Sequence, residues 1–341
     1  MAAPEREPSL GWLRRMYGGR KVAAPRSLAY FAGRLLGAVV TVLAGALVVY
    51  VVMKAAPGDP ALAVLGENAR PDAVAAFRHK HHLDEPFAEQ FWTWLSGMLR
   101  GDFGLSLTIA GGIPISQLIA ARLPITAFIG LYAVLIAVAV SLTMGTIAAV
   151  RRGRAADTIA TSIAVLGISM PDFWLSYMLV FAFALGWRIF PAYGFVSPTE
   201  SALGALYSGF LPALAIAAPM AAVFSRMLRT SLLEAASREC VVVARSFGFS
   251  ARFVFLHYVF RNALIPYVTI IGLQIRYLLG GVVVIERIFG IQGLGSLMVD
   301  AAFARDYPTV LACTIVFLTI VLLVNLVVDL LCMALDPRRS A

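Results

Sequence analysis

The sequence predicts an all-α protein that crosses a membrane several times. Three observations carry this. Of 341 residues, 60% are hydrophobic and only 14% are charged. The apolar residues gather into six runs about as long as a bilayer is thick. The loops between those runs alternate in charge. An ordinary soluble domain carries about 25% charged residues. A chain this apolar lacks the polar surface to cover its own cores, which excludes a soluble enzyme, and the same composition excludes disorder.

The six runs are residues 35–53, 125–150, 158–185, 209–228, 266–285 and 309–335. The first could be mistaken for a signal peptide. It starts late and is followed by Lys54-Ala55-Ala56-Pro57, not by a small-residue cleavage site, so it reads as an uncleaved span. The third carries Pro171 and Asp172 near its middle. Proline removes a helical hydrogen bond and clashes with the preceding turn, so the third run either kinks there or divides into two shorter segments.

Charge sets the direction. The net charge is +9, with 25 Arg and 3 Lys. In a chain of this composition, that surplus reads as cytoplasmic loops and not as a nucleic-acid surface. Residues 1–34, 151–157 and 226–265 carry net charges of +5, +2 and +4. Residues 54–124 and 286–308 each carry −1, and 186–208 balance. The alternation puts both termini in the cytoplasm and the chain in a membrane as a multi-pass protein. Ahead of the first span, Leu10, Leu13 and Tyr17 share a helical face near Arg14 and Arg15, which suggests a short helix on the cytoplasmic membrane surface.

About 70 residues separate the first two spans, too many for a structureless connection. Residues 71–82 read as one short helix, with Pro71 suited to its first turn. Phe87, Phe91, Trp94, Leu95, Met98 and Leu99 then recur at helical steps, with Glu89, Gln90 and Thr93 on the other side. This stripe fits a helix at the outer membrane interface, in contact with lipid, or one packed on the protein's own spans. His79, His81 and His82 are the one grouping that looks metal-binding. On a helix, however, 79 and 82 share a face and 81 points away, so no metal site is assigned. Cys240, Cys313 and Cys332 are too scattered for a disulfide framework.

Familiar energy sources are missing. A phosphate-binding loop ends in Gly-Lys-Ser/Thr. Lys21, Lys54 and Lys80 precede Val22, Ala55 and His81, and none follows glycine. An ion-driven carrier places several ionisable groups at mid-membrane, whereas here the candidates are Asp172, Arg276 and Asp329. No nucleophile–histidine pair lies in the membrane, so the chain is expected not to be an enzyme. It reads as one part of a larger machine.

The basic cytoplasmic segment between the fourth and fifth runs is the most specific. It contains Val242-Val243-Ala244-Arg245-Ser246-Phe247-Gly248, then His257 and Arg261-Asn262-Ala263-Leu264-Ile265-Pro266. A helix, a glycine break and a second helix would make an L-shaped knob for a partner's groove. This segment resembles the coupling loop of binding-protein-dependent ABC importer permeases, most closely the B-type subunit of the dipeptide/oligopeptide/nickel group. The general pattern has Glu-Ala-Ala, three residues and then Gly. Here Val242, Val243 and Ala244 hold those positions and Glu is missing, while the literal Glu234-Ala235-Ala236 is out of register. Further matches are Pro57-Gly58-Asp59-Pro60, Leu83-Asp84-Glu85-Pro86, Gly101-Asp102-Phe103-Gly104 with Ser106, Pro171-Asp172-Phe173-Trp174-Leu175, and Glu286 with Gly293-Leu294-Gly295. Arg305-Asp306-Tyr307-Pro308 and Asp336-Pro337-Arg338 also match.

The resemblance covers roughly residues 30–339 and implies a type I ABC importer permease fold in the bacterial plasma (inner) membrane. It implies a cytoplasmic N-terminal extension at 1–29, a first span with the long extracytoplasmic loop at 30–123, and a transmembrane core at 124–339 with its coupling loop at 229–265. It implies three kinds of protein partner: a homologous second permease subunit, two cytoplasmic ABC ATPase subunits, and an extracytoplasmic solute-binding protein. ATP and Mg would be bound by the ATPases, with no cofactor in this chain. The ATPase-coupling residues would be Val242, Val243, Ala244, Arg245, Gly248, His257, Arg261, Asn262 and Pro266. Dipeptides or oligopeptides are the leading solutes. A secondary carrier acting alone and a non-transporting membrane scaffold are the alternatives. For the translocation path, the candidates are Gln274, Arg276, Tyr277 and Asp172. Relatives usually have a small or apolar residue in place of Arg276. That arginine either draws an anionic group into the path or pairs structurally with Asp172, Asp329 or the partner subunit.

Overall fold

The computed structural model describes residues 26–55 and 59–335, without the side chains of residues 26–32, 34, 35, 38, 276, 279 and 332–335. The expected surface helix at Leu10 to Tyr17, the Pro57-Gly58 pair, the Cys332 side chain and the 336–338 motif lie outside the described residues. Helices are the regular elements among the described residues, joined by turns and loops that include one isolated antiparallel bridge between Leu105 and Pro114.

Five of the six apolar runs each fall within one helix, and the third is split between two. The first lies in α1 (Arg26–Ala55), after which come the short α2 (Pro60–Leu65), α3 (Pro71–Lys80) and α4 (Phe87–Leu99). The second run lies in α5 (Ile115–Val150). The third is divided between α6 (Ala155–Ser169) and α7 (Asp172–Leu179), the latter widening into a π-helical turn over Val180–Gly186. The fourth lies in α8 (Ala202–Ala236), which two residues separate from α9 (Glu239–Ser246). Next, α10 (Ala251–Val254) passes through a second π-helical stretch, Phe255–Phe260, into α11 (Arg261–Phe289), which holds the fifth run. Then α12 (Leu294–Phe303) precedes α13 (Tyr307–Leu335), which holds the sixth.

Proline decides where the third run breaks, and the outcome is division, not a kink. Pro171 cannot donate into the preceding turn, and the residue before a proline is pushed out of the helical region. Met170 accordingly turns extended, at φ −92° and ψ 124°. The two halves meet at 107°. A second bend of 82° separates the end of α11 from α12. There Gly290, at φ +63°, ends the helix in a left-handed turn that a side chain resists.

At the centre stands α8. Leu211, Ala213, Ala215, Ala217, Phe224 and Leu228 are fully buried on it. Small residues let its neighbours close in. A Cβ on Gly145 of α5 would lie 2.9 Å from the Ser225 carbonyl, and one on Gly167 of α6 would lie 3.1 Å from Ala222 Cβ. An ion pair fixes the start of α6 to α8. Arg229 Nε and Nη2 donate to Asp157 at 2.7 and 2.8 Å, and Gly153 N–H donates to the same carboxylate at 3.0 Å. Arg229→Ala leaves that carboxylate, on a buried residue, without its cation. The expected result is a thermal midpoint lowered by several degrees on fluorimetry of the purified protein, part of which Asp157→Asn restores in the same chain.

The long loop is a folded unit. Asp59 caps α2 through Ala61 N–H at 2.9 Å and also accepts from Arg78 of α3. Partial burial pushes the Asp59 carboxyl up, but the Arg78 guanidinium and the Ala61 amide outweigh it and hold the group below its ordinary value. The apolar stripe of α4 packs on α1, where Phe87, Phe91 and Trp94 surround the Tyr50 ring at 5.2–6.0 Å. Gln90, expected on the outward side, is instead buried. Its amide donates to the Leu83 and Glu85 carbonyls at 2.8 and 2.7 Å, so it can be covered without an unmet hydrogen bond. His82 Nδ1 lies 2.5 Å from Glu85 Oε1, and among the described residues no three potential metal ligands converge.

The candidate coupling element and translocation face

α9 begins where Arg238 leaves the helical region at φ −70° and ψ 146°. Glu239 stands in its first turn and Arg245 in its last, each complementing the helix dipole. It ends in a Schellman motif. Gly248 N–H donates to the Arg245 carbonyl at 3.0 Å and Phe249 N–H to Ala244 at 3.4 Å. Gly248 sits at φ +79°, the backbone condition that makes glycine the suitable residue there. Ser250 then caps α10 by accepting from Phe253 N–H at 3.4 Å. The helix, glycine break and second helix expected from the sequence are therefore present, with Gly248 at the turn.

The two faces of α9 differ. Val241 and Ala244 are 1% and 3% exposed and belong to the main core. Val242, Val243 and Phe247 are 59%, 52% and 78% exposed, with Arg245 also outward. Ala244, expected within the presented surface, thus anchors it from below. His257 stacks on Phe253, with ring centroids 4.2 Å apart. Asn262 donates to the Tyr258 carbonyl at 2.6 Å and accepts from Arg238 Nη1 at 3.5 Å, which joins the two ends of the element. Arg261 is exposed, and Pro266 is half-buried inside α11. The Arg238–Asn262 link was not foreseen, because nothing in the local sequence pairs residues 24 positions apart.

Of the path candidates, the structure brings three towards one another. Tyr277 of α11 is exposed, and Gln274 is half-buried one turn before it. Gly281 lies one turn after, and a Cβ there would stand 2.8 Å from Asp172 Oδ2 at the start of α7. The Arg276 side chain lies outside the described residues. Position 276 is one turn beyond Gly272, whose Cβ would run into Val328 of α13 at 2.4 Å.

Two buried carboxylates tie together segments far apart in the sequence. Asp306 is fully buried and accepts from Ser106 Oγ at 2.6 Å, Thr108 N–H at 3.1 Å and Ile109 N–H at 3.3 Å, some 200 residues away in sequence. Glu286 is also fully buried. It accepts from Thr126 Oγ1 at 2.6 Å and from Ser296 N–H at 2.7 Å, in the first turn of α12. The sequence marked both residues only through the resemblance.

Residues 141–341 match the family described as the binding-protein-dependent transport system inner membrane component. Residues 27–129 match its N-terminal counterpart. A Brucella abortus (strain 2308) protein that carries the name of a peptide transport system permease is 39% identical over 308 residues, covering 89% of this chain and 96% of that protein. The glutathione transport system permease protein GsiC of Salmonella typhimurium (strain LT2) is 37% identical over 312 residues, covering 91% and 98%. Among solved structures, the inward-facing MetNI methionine ABC transporter aligns with a TM-score of 0.52 at 17% identity, over 64% of this chain and 97% of that one. That likeness shows the fold. The chain belongs to the binding-protein-dependent transport system inner membrane component family and is an all-helical, multi-pass permease subunit of an ABC importer.

Proposed function

We propose that this chain forms one half of an ATP-driven path for dipeptides, oligopeptides or a closely related solute, and that α9 is where ATPase movement enters it. The observation that carries this is the two-sided α9: Val242, Val243 and Phe247 stand in solvent on a helix whose other face is locked into the core. Exposed apolar side chains on a short, rigidly held helix suit a groove on another protein. The peptide and glutathione transport names of the relatives support the solute class. The partners are a homologous second permease subunit, two cytoplasmic ATPases and an extracytoplasmic solute-binding protein. Both termini face the cytoplasm, as the loop charges direct. ATP draws the ATPases together, α9 is carried with them, and the spans swing as rigid bodies from inward- to outward-facing.

Cys240 offers a direct test, since it is exposed on α9 whereas Cys313 is buried. In inside-out vesicles, a membrane-impermeant maleimide is expected to label Cys240, and addition of the ATPases to block it, with Cys240→Ser as the control. Labelling from the opposite side would overturn the orientation. Labelling that docked ATPases leave unchanged would overturn the role of α9.

A further inference from the structure

The broken third run carries more chemistry than packing requires. A break of 107° at the middle of an apolar run leaves the last carbonyls of α6 without helical partners. Ser169 Oγ donates to Val165 O at 2.8 Å, and Met170 closes no capping bond. In a bilayer, free backbone groups are tolerated only where protein or water meets them. At this break the surface opens into a shallow pocket of about 310 Å³ lined by Ser169, Met170, Pro171, Phe173 and Trp174. Beside it, the Asp172 carboxylate is half-buried against Gly281 and has no hydrogen-bond or ion-pair partner among the described residues.

The break sets the negative carbonyl end of α6 beside the positive amide end of α7, whose first turn holds Asp172, so the two helix poles offset each other and the side chains decide the sign of the site. Phe173 and Trp174 offer the electron-rich faces that attract organic cations. Asp172 adds a full negative charge. A carboxylate at mid-membrane costs free energy unless it meets water or a cation, so an unpaired one marks a functional position. We infer that the break at residues 169–174 is a subsite for a cationic group of the transported solute, for a peptide its terminal ammonium. This rests on the proposed peptide path and adds which end of the peptide the chain reads.

The test uses the complete reconstituted transporter and one peptide in two forms, free at its amino terminus and N-acetylated. Uptake per assembled complex is measured for wild type, Asp172→Asn and Asp172→Glu. The preference of whatever delivers the peptide is common to all three and cancels in the ratio of the two uptakes. For Asp172→Asn, the free-to-acetylated ratio is expected to fall about tenfold, with the amount of assembled complex unchanged, and Asp172→Glu to restore much of it. Trp174→Leu is expected to lower the same ratio by a smaller factor. An unchanged ratio, or an equal fall for both peptides, overturns the subsite. Loss of assembled complex with Asp172→Asn assigns the carboxylate to the partner subunit and overturns it too. Wild-type complex that moves neither peptide would overturn the proposed function itself.

Discussion

Replacing Gly248 with valine is expected to abolish ATP-driven uptake while leaving the chain inserted and folded. The residue sits at φ +79°, and nothing lies within 4 Å of where a Cβ would be. The effect is therefore conformational and not a clash. A β-branched residue held in the left-handed region costs about 1–2 kcal/mol. The local escape is to unwind the turn, which gives up the bonds from Gly248 to Arg245 and from Phe249 to Ala244. Phe247 and α10 then leave their present directions, and the surface offered to the ATPase is lost. Uptake per assembled complex should fall at least about tenfold, since a 1.4 kcal/mol penalty already corresponds to that factor. Gly248→Asn, which tolerates this conformation better, should retain most of it. Equal uptake by the valine variant would refute the coupling role of the turn.

Asp306→Ala is expected to destabilise the fold strongly. Its carboxylate is the acceptor for Ser106 Oγ, for the Thr108 and Ile109 amides, and for Thr309 N–H at 3.4 Å. A buried donor left without an acceptor costs about 1–3 kcal/mol. Several are stranded at once, so a loss of roughly 2–4 kcal/mol is expected even after local rearrangement. The loop at 104–110 would lose its fastening to the start of α13. Thermal unfolding of the purified subunit, together with faster proteolysis within that loop, would show both effects. Asp306→Asn keeps one carbonyl acceptor and should fall between. A variant as stable and protease-resistant as wild type would show that the loop is held by its apolar contacts alone.

The helical character of the apolar runs was legible because hydropathy is a property of each run by itself, and the Gly248 turn because glycine marks a left-handed residue locally. The place of the break in the third run was readable at Pro171, but its 107° angle was not, since that depends on how α7 packs against α8 and α11. Gln90 shows the limit of periodicity. Its position predicts an outward face, yet two carbonyls of the preceding turn satisfy its amide and allow burial. The carboxylate braces were invisible for another reason. Ser106 and Asp306, Thr126 and Glu286, and Asp157 and Arg229 are separated by 200, 160 and 72 residues, and no local pattern pairs them. A usable sign was present near Glu286, an acidic residue followed by Gly293 and Gly295, where a helix start could close on it.

The two attachments of α9 differ in stiffness. On one side it follows α8 after only Ser237 and Arg238, and α8 is a 35-residue rod about 52 Å long, clamped by its neighbours over most of its length. On the other side it reaches α11 through Gly248 and the π-helical stretch Phe255–Phe260, where the wider turns hold the backbone less tightly. A push on α9 therefore cannot be shared equally. If α9 takes the ATPase stroke as proposed, the α8 end would serve as the pivot and residues 248–260 would yield first. The movement would then reach Gln274 and Tyr277 through that wider-turned stretch and not through the long rod of α8.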